Sequence, residues 1–152
     1  MMLPALFAAA AMVAGQPVPV DAALLAGLQP VQVEATIHGE KLVCTGPRLR
    51  DLAGRLGLPQ GEKLGGPMLA NALLLRARDG YAVLFSLAEI DATLGNSNAI
   101  VATACNGQPL DSKVGPYRLI VPGEQRPARA MRQLDTIELV IPPNPPKEVH
   151  NH

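Results

Sequence analysis

Val31, Val33, Ala35 and Ile37 alternate with Gln32, Glu34 and Thr36. A period of two predicts a strand with one face against a core. His38-Gly39-Glu40 reads as a turn, and Lys41 to Thr45 as the returning strand. The period then changes. Leu49, Leu52, Ala53 and Leu56 recur at helical spacing, with Arg48, Asp51 and Arg55 on the opposite face. Pro47 suits the entry to that helix, and Gly57 with Pro59 ends it. Gly61, Gly65, Gly66 and Pro67 predict an irregular stretch.

The second half holds further short elements. Ala70 to Arg78 and Tyr81 to Phe85 flank Asp79-Gly80, a pair suited to the positive φ angles of a tight hairpin turn. Ser86-Leu87-Ala88-Glu89 has the form of a capping box, with Ser86 as N-cap and Glu89 reaching back. Gly95-Asn96-Ser97-Asn98 breaks that helix early. Ala99 to Ala104 is the next strand, closed by the turn pair Asn106-Gly107. Arg118 to Val121 is another strand, stopped by Pro122-Gly123. Arg126 to Gln133 predicts one or two basic helical turns, and Ile137 to Ile141 the last strand. Short strands, few helices and no βα alternation predict an α+β fold with mixed, mostly antiparallel sheets and short helices.

The ends differ from the middle. Leu3 to Val13 is apolar and rich in alanine, followed by Ala14, Gly15 and Gln16. That pattern predicts a signal peptide over residues 1–15 and a periplasmic or secreted product. The run is shorter than the roughly 20 residues that cross a bilayer. Residues 16–30 read as a linker, 31–141 as the domain, and the proline-rich 142–152 as a disordered tail.

The 152 residues suit one domain. The chain carries 13 basic and 13 acidic residues, so it lacks the steering field of a nucleic-acid or anionic-membrane binder. No G-x-S-x-G elbow, H-E-x-x-H helix or paired-cysteine box occurs, and no catalytic residue is assigned. His38 reads as a solvated turn residue. His150 and His152 read as ends of the tail. Cys44 and Cys105 fit no metal-ligand spacing. In an oxidising compartment they could pair, and in strand-like apolar surroundings they could equally be buried free thiols.

One cluster stands out. Arg118, Arg126, Arg129 and Arg132 lie close together around Gly123. Arginine donates in a planar fork that suits phosphate or sulfate, and glycine lets an anion approach the backbone. On a helix, Arg129 and Arg132 would share a face. The alternative is a solvated surface, or pairing with Glu124, Asp135 and Glu138.

The order of motifs resembles the molybdopterin-binding domain of the sulfite oxidase family. Gly46-Pro47-Arg48-Leu49-Arg50-Asp51-Leu52 is similar to its G-V-P-L-x-D-L segment. Asp79-Gly80-Tyr81, Asn106-Gly107-Gln108-Pro109-Leu110 and Gly115 to Gly123 resemble its D-G-Y, N-G-x-P-L and G-x-P-x-R-L-V-V-P-G segments. Arg129 to Leu134 stands where the family has K-S-x-K-W-x. The resemblance implies that Arg118, Arg129 and Arg132 face the anionic end of a molybdopterin-type cofactor. The chain departs from the family where the metal is held. It has no cysteine before Cys44, which stands where an aromatic residue is usual, and no Trp after Arg132. The expectation is therefore an exported domain with no resident metal, binding a small anion, a pterin-like ligand or a protein partner. The alternatives are a molybdenum oxidoreductase using Cys44 or Cys105, and a structural or interaction module.

Overall fold

A computed structural model describes residues 12–144. The strands are β1 (Val18–Pro19), β2 (Pro30–Ile37), β3 (Glu40–Pro47), β4 (Ala72–Ala77), β5 (Ala82–Ser86), β6 (Ile100–Ala102), β7 (Ala104–Cys105), β8 (Gln108–Pro109), β9 (Arg118–Ile120) and β10 (Leu134–Val140). The helices are short: α1 (Ala22–Leu25), α2 (Leu49–Arg55) and α3 (Leu87–Ile90). They form three antiparallel sheets, ordered β1-β10-β4-β5, β2-β3-β7-β8 and β6-β9.

The alternation around Val33 does build a hairpin. His38 and Gly39 turn it with φ of 50° and 77°, the left-handed pair that suits the twist of flanking strands. Asn106 and Gly107 repeat that geometry. Asp79-Gly80 does not. Only Gly80 has a positive φ, and Ala77 N–H donates to Tyr81 O. The loop therefore has three residues with Gly80 in the left-handed position, and Asp79 accepts from Tyr81 N–H instead.

Two cores result. The larger sits beneath β4, β5 and β10, where Leu73, Leu75, Phe85 and Ile137 meet Leu49 and Leu52 of α2. The smaller lies under the β2–β3 hairpin, where Ile37, Leu42 and Cys44 meet Ile100 and Ile120. Gly46 joins them: a Cβ there would collide with the Val101 carbonyl, so only glycine lets β3 lie this close to β6.

Residues 16–30, read as a linker, contain β1 and α1 and bond to the rest of the fold. Val18 pairs with Ile137, Val20 N–H donates to Asp135 O at 2.8 Å, and Arg55 donates to the carbonyls of Leu24 and Ala26. A two-residue edge strand tolerates Pro19. The expected strand from Ala99 to Ala104 is broken at Thr103, so β6 and β7 join different sheets. The basic helix over 126–133 does not form. Met131 pairs with Leu119 in an isolated bridge, and Gln133 has φ of 51°.

The expected signal peptide falls on residues 1–11, outside the described residues, and on 12–15. Met12 N–H donates to Leu56 O and Gly15 N–H to Leu139 O. Most of the expected tail, 145–152, also lies outside the described residues. Among those described, no helix is long and apolar enough to cross a membrane.

One carboxylate holds the irregular stretch after α2. Asp91 is buried. Its oxygens accept from Thr93 Oγ1 at 2.5 Å, Gly61 N–H at 2.9 Å and Thr93 N–H at 2.9 Å. The Thr93 hydroxyl bond, followed by the two backbone bonds, holds the carboxyl below its ordinary value of 3.8. A depressed carboxylate stabilises the fold above its unfolded pKa, and that contribution fades as pH falls through the folded one. Asp91→Ala should therefore cost about 1–2 kcal/mol at pH 7. The gap between the two proteins should narrow below about pH 4. Urea midpoints measured across that range check both statements.

Candidate functional site

After β9 the chain turns at Pro122-Gly123, where Gly123 has φ of 84°, and makes an excursion before Met131 returns to pair with Leu119. This excursion carries Gly123, Arg126 and Arg129, three of the five residues expected to bind an anion, while Arg118 precedes it on β9 and Arg132 follows it, and the structure separates them. Gly123 and Arg126 are exposed.

Arg129 is committed to the protein. Its Nε donates to Glu124 Oε1 at 3.0 Å. Nη1 donates to Leu84 O at 2.9 Å and Glu89 Oε1 at 3.0 Å. Nη2 donates to Glu89 Oε2 at 3.0 Å and Glu124 Oε2 at 3.3 Å. A guanidinium has five N–H donors, and every one has an acceptor. The group also lies 4.1 Å from the Phe85 ring centroid, a cation–π contact. Glu89, ahead of Glu124, raises an already high guanidinium pKa. The capping box positions this clamp. Ser86 Oγ accepts from Glu89 N–H, and Glu89 Oε1 accepts from Ser86 N–H, both at 3.0 Å. All five Arg129 donors are thus engaged within the protein. Of the acids suggested as its partners, Glu124 is one. Glu89 was missed as a partner, since its capping motif gave no sign that the carboxylate serves two groups.

Arg118 and Arg132 behave differently. Because Leu119 pairs antiparallel with Met131, the residues on either side, Arg118 and Arg132, fall opposite each other. Both line a cleft of about 560 Å³. Ile37, His38 and Leu42 of the hairpin form one wall, and Ala77, Asp79 and Tyr81 another. Tyr81 Oη donates to Ala128 O, which fixes the ring at the rim. Neither arginine makes an ion pair among the described residues. Arg118 Nε is buried without a hydrogen-bond partner. Burial lowers the Arg118 pKa and the Arg132 charge adds to that, while Glu40 and Asp111 oppose it through space. His38 enters the cleft wall through hairpin geometry, which its place in a turn did not reveal.

Cys44 and Cys105 face each other on β3 and β7 and form a disulfide. The described residues hold no free thiol, and no cluster of three or more His, Cys, Asp or Glu residues suited to a metal. The resemblance implies a cysteine thiolate as the metal's protein ligand, and here both sulfurs are bonded to each other. The residues present therefore do not fit the metal end of a molybdopterin cofactor. No family model matches the chain, and no curated protein matches it.

Proposed function

We propose that this chain is an exported, non-catalytic binding domain of the sulfite oxidase-like molybdopterin-domain type, and that it holds a small oxyanion between Arg118 and Arg132. The observation that carries this reading is that Arg118 and Arg132, neighbours across the Leu119–Met131 bridge, line one cleft without a carboxylate in ion-pair contact among the described residues. Like charges placed opposite each other repel. A phosphate, sulfate or similar oxyanion between them removes that repulsion and accepts charge-assisted bonds from both. Ile37, Leu42, Ala130 and Met131 give the cleft an apolar floor that suits the organic part of a larger ligand, a pterin-like ring included.

The disulfide supports export, since such bonds persist in oxidising compartments such as the periplasm or the extracellular space. It also argues against an oxidoreductase using Cys44 or Cys105 as metal ligand. Titration calorimetry with phosphate and sulfate tests the reading. Binding is expected, and Arg118→Ala and Arg132→Ala should each weaken it by about tenfold or more. Glu62→Ala, on the short turn after α2, should leave it unchanged. A heat-silent titration of the unsubstituted protein would end the proposal.

A further inference from the structure

Most sheet edges in this molecule are protected. β1 and β8 have two residues each, and each includes a proline. The outer edge of β5 is capped where Arg129 donates to Leu84 O and Tyr81 donates to Ala128 O. β2 is different. It is eight residues long, forms the end of its sheet, and among the described residues pairs in unbroken register with β3 alone.

The turn fixes which of its groups are open. Ile37 and Glu40 flank a two-residue turn and so form a hydrogen-bonded pair. Counting back in twos, Val31, Val33 and Ala35 direct their N–H and C=O groups to β3. Gln32, Glu34 and Thr36 direct theirs outward. No loop bonds to these outward groups among the described residues. Glu34, Ala35 and Thr36 line a groove of about 530 Å³ together with Gly123, Glu124 and Pro127 of the nearby excursion. An unpaired strand edge of this length is a template for another strand.

We infer that the strand it accepts is β2 of a second copy of this chain, antiparallel about a two-fold axis through Val33. Charge selects that axis. Centring the pair on Glu34 would set two carboxylates against each other, which destabilises a strand pair. Centring it on Val33 sets Gln32 of one copy against Glu34 of the other, so the amide donates to the carboxylate. It also keeps the outward groups in hydrogen-bonding register, with about six main-chain bonds across the axis. Val31, Val33 and Ala35 pack against the smaller core, and the second copy continues that apolar row. The two-fold repeat closes the interface upon itself, so assembly stops at a dimer.

Sedimentation velocity over concentrations from about 1 μM to about 1 mM, spanning weak to moderate affinities, tests the inference. A monomer–dimer equilibrium is expected. Gln32→Pro removes an outward N–H that β3 does not use, and should raise the dissociation constant about tenfold or more. Gln32→Glu sets like charges across the axis, and Gln32→Lys sets opposite ones. Dissociation constants should rise in the order Lys, Gln, Glu, with the spread shrinking as salt is added. A monomer at every concentration, or a dimer indifferent to all three substitutions, overturns the inference. Anion binding in the cleft is unaffected by either result.

Discussion

Reduction of the Cys44–Cys105 bond is expected to lower the thermal midpoint by about 10–20 °C. The cysteines lie 61 positions apart. A loop of that size, held closed in the unfolded chain, corresponds to about 4 kcal/mol of stability in the chain-entropy account. The native strands already set the two residues opposite each other, so opening the bond leaves the folded pairing in place and frees chiefly the unfolded ensemble. Calorimetric scans with and without reductant, beside a Cys44→Ala/Cys105→Ala protein, measure the effect. The reduced and doubly substituted proteins should agree to within about 1 kcal/mol, the scale of one buried methylene-sized change in packing. A midpoint that ignores reductant would show that the bond is absent or contributes nothing.

Arg129→Met is expected to cost about 2–3 kcal/mol. The substitution keeps much of the aliphatic contact with Phe85 and removes all five donors. Glu89 and Glu124 are then left without the cation that bridges them. The partial exposure of the group, with 29% of the Arg129 side chain accessible, keeps the loss below that of a fully buried pair. Arg129→Lys retains the charge but not the forked geometry, so it should recover only part of the stability. Urea unfolding of the three proteins gives the ranking. If Lys and Met fall together, charge contributes little. If Met equals the native protein, the clamp is not stabilising at all.

Much of the local structure could be read from the sequence because its causes are local. The alternation from Val31 to Ile37, the left-handed pair Asn106-Gly107 and the reciprocal Ser86–Glu89 cap each depend on neighbours a few residues away. What could not be read depends on distant partners. Val18 is a strand because Ile137 lies beside it. The run from Ala99 to Ala104 divides because Ile100 faces Ile120, whereas Cys105 faces Cys44. The arginine cluster shows the same limit. Its composition pointed to an anion, and two of its members do share a cleft. Helical spacing, however, would have united Arg129 with Arg132, and the Leu119–Met131 bridge unites Arg118 with Arg132 instead. The partnership of Arg129 with Glu89 spans 40 positions and leaves no local pattern.

The single cross-link has a consequence for biogenesis. A chain with two cysteines has one intramolecular connectivity open to it, so oxidation cannot scramble it. Maturation calls for a thiol oxidase and no disulfide isomerase. Because the bonded strands enclose β4, β5 and α3 between them in sequence, that oxidase acts on a polypeptide whose central hairpin has already emerged.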